Sequence, residues 1–127
     1  MKNRDSQARV LIVDDEPHIV LALEYLMQQC GFDTENAGDG REALDKIDEF
    51  SPDVVILDVM MPHMDGFEVA HEIRKRDQHQ DAHILFLTAR GTDKDKREGY
   101  GSGADVYLTK PFDNRELVEK VKDLLGE

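Results

Sequence analysis

Arg9-Val10-Leu11-Ile12-Val13-Asp14-Asp15-Glu16-Pro17 is the stretch that decides the architecture. Its apolar run carries no polar alternation, so it reads as a strand buried on both faces, and it stops abruptly at two carboxylates. Pro17 suits the first turn of a helix. Acidic side chains are thus placed in the turn between a strand's end and a helix's start. Val54-Val55-Ile56-Leu57 repeats the arrangement and closes on Asp58, and Ile84-Leu85-Phe86-Leu87 runs into Thr88. Phe32 to Ala37 is a weaker strand candidate, and Asp105 to Thr109 supplies a fifth that ends at Lys110-Pro111.

Helical spacing fills the intervals. Ile19, Val20, Leu23, Leu26, Met27 and Cys30 form one apolar stripe between Pro17 and Gly31, the latter a C-terminal stop. The Gly38-Asp39-Gly40 turn opens a second helix with Ala43, Leu44, Ile47 and Phe50 inward, ended by Ser51-Pro52. Asp65-Gly66 caps a third, carrying Phe67, Val69, Ala70 and Ile73, with Lys75 to Ala82 as its exit loop, and Asp113 caps a last one with Leu117, Val118, Val121, Leu124 and Leu125 inward. Between Thr92 and Gly103 the helix signal is poorest, because Gly99, Gly101 and Gly103 each cost about 1 kcal/mol relative to alanine; a short or mobile segment is expected. Five strands alternating with five helices give a (βα)5 chain. Short right-handed crossovers then favour a parallel, doubly wound sheet covered by helices on both faces. Ligands of such sheets sit beyond the carboxyl ends of the strands, which singles out Asp14, Asp15, Asp58, Thr88 and Lys110.

The chain has 127 residues, the size of one domain with a core of its own. It holds 28 Asp and Glu against 16 Lys and Arg, a formal charge of −12, which repels nucleic acid and anionic lipid; no direct nucleic-acid binding is expected. No apolar run approaches the roughly 18 residues of a membrane span. Met1 to Gln7 lacks the apolar core of a secretory signal, and Cys30 is the only cysteine. A cytoplasmic location is the expectation. The histidines His18, His63, His71, His79 and His83 show no ligand spacing and are expected on the surface or in loops, while Cys30 belongs to a helix stripe with no histidine placed to activate it. Met60, Met61 and Met64 lie among hard oxygen ligands and read as packing residues.

Five positions at or just past strand ends, carried in Val13-Asp14-Asp15-Glu16-Pro17, Leu57-Asp58-Val59-Met60-Met61-Pro62, Met64-Asp65-Gly66, Leu87-Thr88-Ala89 and Gly103-Ala104-Asp105-Val106-Tyr107-Leu108-Thr109-Lys110-Pro111-Phe112, give a sequence that resembles the receiver domain of two-component response regulators over residues 9 to 125. Residues 1–8 form a polar lead. The resemblance implies a single flavodoxin-like domain with strand order 2-1-3-4-5, and a phosphorelay in which a sensor histidine kinase or histidine phosphotransfer protein gives its phosphoryl group to an aspartate. It implies Asp58 as phosphoacceptor and Asp14, Asp15, Asp58 and the Met60 backbone carbonyl as ligands of Mg²⁺. It further implies Lys110 as the phosphate-pairing lysine, Thr88 and Tyr107 as switch residues, and a cis Lys110-Pro111 bond.

Physically, three acids converging at strand ends need a hard divalent cation to relieve their repulsion, and phosphoryl transfer needs that charge neutralised more than it needs covalent help. Lys110 can pair with Asp58 at rest and with phosphate afterwards. An added phosphoryl group would draw the Thr88 hydroxyl toward it, leaving Tyr107 room to turn inward and reshape the surface of the fourth helix, fifth strand and fifth helix. Met60 and Arg90, two places beyond Asp58 and Thr88, are placed to tune the phosphoryl lifetime through water access. Such a domain modifies itself and is not a turnover enzyme. The rival is a Mg²⁺-dependent phosphohydrolase of the haloacid dehalogenase type, which forms a phosphoaspartate with similar residues. That family sets its nucleophile and a second acid after the first strand, whereas here the adjacent pair comes first and the lone acid follows the third. The mixed run Asp93 to Glu98 reads as a solvated helix face. Asp95 and Arg115 nonetheless match salt-bridge positions of dimerising receivers in the winged-helix subfamily, and Arg97 and Glu98 depart from its more apolar fourth helix. A phosphorylation-dependent homodimer stays open, as does the output: a free-standing regulator or the receiver of a longer protein.

Overall fold

In the computed structural model, residues 7–127 are described; the first six residues of the lead lie outside them. Five strands, β1 (Arg9–Val13), β2 (Asp33–Ala37), β3 (Val54–Leu57), β4 (His83–Thr88) and β5 (Val106–Thr109), alternate with five α-helices, α1 (Pro17–Gln29), α2 (Gly40–Phe50), α3 (Gly66–Arg74), α4 (Asp93–Gly101) and α5 (Asn114–Leu125). All pairings are parallel and the order is β2-β1-β3-β4-β5. This is the expected doubly wound, flavodoxin-like arrangement.

The pleat divides the apolar residues between two layers. Leu11, Val13, Val55, Leu57, Ile84, Phe86 and Tyr107 face α2 and α3, packing with Ala43, Ile47, Phe67, Val69, Ala70 and Ile73. Val10, Ile12, Val54, Ile56, Leu85 and Leu87 face α1 and α5, packing with Leu23, Met27, Leu117 and Val121. Buried on both sides, β1, β3 and β4 have to be apolar at consecutive positions. Edge strand β2 needs burial only at its end, and Asp33-Thr34-Glu35-Asn36-Ala37 shows that in its sequence.

Several local expectations change. The exit from α3 is not a plain loop: Asp77–His79 forms a 3-10 turn, and His79 is buried, with its Nε2 2.8 Å from Asp48 Oδ1. The poorest helix forms a regular α4 of nine residues because Thr92 caps it reciprocally with Asp95, each side chain taking a backbone N–H at the other end of the box. Asp95 is therefore buried, not part of a solvated face, and its carboxylate is also held by Arg90 Nη2 at 2.7 Å. The Thr92 hydroxyl first, and then Arg90, hold the Asp95 carboxyl below its ordinary value.

Candidate functional site

Register puts the strand ends on one edge. Val13 pairs with Leu57, Leu57 with Phe86 and Thr88 with Thr109. The ladder continues one residue further, with Asp58 N donating to Val13 O (3.0 Å) and Lys110 N to Thr88 O (2.8 Å). Asp14 and Asp58 thus leave the sheet at the same level, with Thr88 one residue and Lys110 two residues further along β4 and β5.

Asp14 and Asp58 are 3% and 6% exposed, and Lys110 reaches both: its Nζ lies 2.9 Å from Asp14 Oδ2 and 3.3 Å from Asp58 Oδ2, with Glu16 Oε1 at 3.7 Å. The other oxygen of Asp14 accepts from Glu16 N (3.0 Å) and that of Asp58 from Met60 N (3.3 Å). Carboxylate oxygens of Asp14, Glu16 and Asp58 lie within 4.8 Å of one another. Burial pushes the Asp14 carboxyl above its ordinary value despite the Lys110 hydrogen bond. Burial works against the charge of Lys110, but Asp14 and Asp58 outweigh it and raise that lysine. Both directions describe one cleft in which a single ammonium serves more than one buried anion.

Gly66 makes this packing possible. A Cβ there would stand 2.2 Å from the Asp58 carbonyl oxygen, so only glycine lets the start of α3 approach the acid's own backbone. Lys110-Pro111 is cis.

Asp15, expected beside Asp14, is exposed and borders the neighbouring groove with Pro17, Leu21 and Gly38; it does not join the carboxylate group. Glu16 does. As the residue preceding Pro17 it caps α1 with extended backbone, and its side chain makes no cap hydrogen bond, which leaves it turned to the cleft. Its place directly before a helix-starting proline was the available signal. Met60 is 58% exposed at the rim.

Thr88 is fully buried and its Oγ1 accepts from Arg90 N (3.3 Å), while the Tyr107 hydroxyl donates to Arg90 O (2.6 Å). The two expected switch residues therefore grip the same residue from opposite sides. Tyr107 stands inward, its ring 5.6 Å from that of Phe86. Burial pushes its hydroxyl up to about 12. Gly99 is what admits the ring: a Cβ there would lie 2.6 Å from Tyr107 Cδ2. The glycine that weakens α4 as a helix is thus required by its neighbour's packing, which propensity does not reveal.

Over residues 10–122 the chain matches the family described as response regulator receiver domain. It belongs to that family. The transcriptional regulatory protein TrcR of Mycobacterium tuberculosis is 44% identical over 120 residues, 94% of this chain and 46% of TrcR. PhoP of Bacillus subtilis, the alkaline phosphatase synthesis transcriptional regulatory protein, is 44% identical over 117 residues, 92% of this chain and 48% of PhoP. The receiver thus spans about half the length of these relatives. Among solved structures, Vibrio cholerae chemotaxis protein CheY4 superposes with a TM-score of 0.89 at 38% identity, covering 94% of this chain and 99% of that one. The receiver domain of Francisella response regulator 1452 gives 0.85 at 38% identity, covering 92% and 95%. The receiver is a signalling domain, and among its described residues no helix is long and apolar enough to cross a membrane.

Proposed function

We propose that this receiver is the phosphoacceptor switch of a two-component phosphorelay, with Asp58 taking a phosphoryl group from the phosphohistidine of a sensor kinase or histidine phosphotransfer protein. The observation that carries the reading is the buried Asp58 carboxylate, 3.3 Å from Lys110 Nζ and grouped with two further carboxylates at the strand ends.

In this reading one Asp58 oxygen is the nucleophile, and the Met60 N–H and Lys110 ammonium fix the carboxylate's orientation before attack. As phosphate charge arrives, Lys110 follows it, since a flexible ammonium already shared between carboxylates can move to a stronger anion. The donor set of hard oxygens, three carboxylates against one lysine, fits Mg²⁺. Asp14, Asp58 and the Met60 carbonyl would hold it, with Glu16 or Asp15 completing the acid set. The ion supplies charge neutralisation for the transferring group. Thr88 Oγ1, released from Arg90 N when it turns toward the phosphate, frees one side of the residue that Tyr107 holds from the other. The loop before α4 is then the first surface to respond. Output through a further domain or partner, in the cytoplasm, follows from the same reading, and the domain catalyses only its own phosphorylation and dephosphorylation.

Incubation with acetyl phosphate and Mg²⁺ followed by peptide-mapping mass spectrometry tests this. One phosphoryl group on the peptide containing Asp58, absent in Asp58→Asn, is the expected result; an unmodified chain that is properly folded contradicts it.

A further inference from the structure

A groove of about 510 Å³ runs between α3 and α4, away from the carboxylate cleft. Met64 and Phe67 give it apolar surface, and Glu68, Glu72 and Glu98 give it acidic edges drawn from both helices. Glu72 shares its charge with Lys75 at 3.2 Å and Glu68 closes the capping box of α3, but the Glu98 carboxylate has no ion pair or hydrogen bond among the described residues.

Gly101 also borders this groove, and it differs from the other glycines nearby. Gly99 is needed by the Tyr107 ring, and Gly103 has φ +115 with Arg74 Cγ only 2.6 Å from any Cβ. A Cβ on Gly101 would meet nothing within 4 Å, and its backbone is helical. Nothing in the packing requires glycine at this last residue of α4. What the missing side chain does is keep the groove open.

We propose that the groove between α3 and α4 docks a basic, amphipathic peptide segment of a partner protein, with an apolar side chain against Met64 and Phe67 and Lys or Arg residues against Glu68, Glu72 and Glu98. Charge complementarity selects the occupant. A second copy of this chain would bring a formal charge of −12 to an acidic groove, and an acidic or nucleic-acid partner would be repelled likewise. An apolar anchor flanked by cations satisfies both surfaces at once. The site is independent of the phosphoacceptor reading, because nothing in the cleft contributes to it.

The test uses the ¹⁵N-labelled full chain, unphosphorylated, at about 0.15 M salt, where long-range attraction is largely screened. The probes are a short synthetic peptide of leucine and arginine and its counterpart with glutamate replacing arginine. The arginine peptide should give saturable shifts at the Gly101 and Ser102 amides, and the glutamate peptide none. Gly101→Leu, which adds a side chain into open space, should bind about tenfold more weakly. Glu98→Lys, an exposed substitution, should also weaken binding. Shifts spread over the acidic surface without saturation, equal binding by both peptides, or unchanged affinity in the two variants would overturn the proposal.

Discussion

The two edges of the sheet treat their carboxylates in opposite ways. At the edge where strands begin, Asp48 and Asp105 each meet a cation. Asp48 takes Arg76 Nη1 and His79 Nε2, both at 2.8 Å, and Asp105 takes Arg74 Nη2 at 3.1 Å together with the Ile84 N–H at 2.9 Å. Arg74 also donates to the carbonyls of Gly103 and Ala82, tying the start of β4 to the approach to β5. At the edge where strands end, Asp14, Glu16 and Asp58 share Lys110. One edge is finished as protein. The other is left short of positive charge, which costs stability.

The largest expected effect lies at the matched edge. Arg74→Ala should destabilise the fold by about 2–3 kcal/mol, because it removes the donor shared by the Gly103 and Ala82 carbonyls and the Asp105 carboxylate. Denaturant unfolding monitored by circular dichroism reads this, while phosphorylation of Asp58 should survive wherever the variant is folded. The opposite sign is expected at the open edge. Asp14→Asn, measured without divalent ions, should raise stability by about 1 kcal/mol, since Lys110 keeps Asp58 and Glu16 while one buried negative charge disappears. Equal losses in the two variants would erase the contrast.

Smaller effects concern the titration of Tyr107 and Asp48. Tyr107 holds its proton up to about pH 12 in the folded chain against an ordinary value of 10.0. Between those limits the folded state binds more protons than the unfolded one, so stability falls as pH rises through the window. Tyr107→Phe should flatten that part of the pH–stability curve and remove the latest tyrosinate absorbance step. Gly99→Ala, which drives a Cβ against the ring, should bring that step to lower pH by moving the ring toward water. At the acid end the hydrogen bond from His79 holds Asp48 below its ordinary value. Its contribution, small at a half-exposed site, is present above pH 3.8 and lost as pH falls through the depressed value; Asp48→Asn should soften acid unfolding slightly.

What could be read without coordinates tracks the same division. Strands β1, β3 and β4 announced themselves because burial on both faces demands uninterrupted apolar runs, and the acids that close the first two are visible because polarity begins where each run stops. Asp14, Asp58, Thr88 and Lys110 were legible for that reason. Glu16 is legible only through its place before Pro17, because its direction is set by the cap of α1. His79 and Asp95 look like surface residues by type; only the partners Asp48, Arg90 and Thr92, brought in by tertiary packing, explain their burial. Gly99 reads as a helix breaker by type, whereas its reason is a ring eight residues later in the chain.

Calorimetric titration of the wild-type receiver with Mg²⁺ at neutral pH addresses the unmatched edge directly. A single saturable site, lost in Asp14→Asn, is the predicted result. Absence of binding to folded wild type, or unchanged binding by Asp14→Asn, would contradict the view that this cleft holds its excess of carboxylates for a cation.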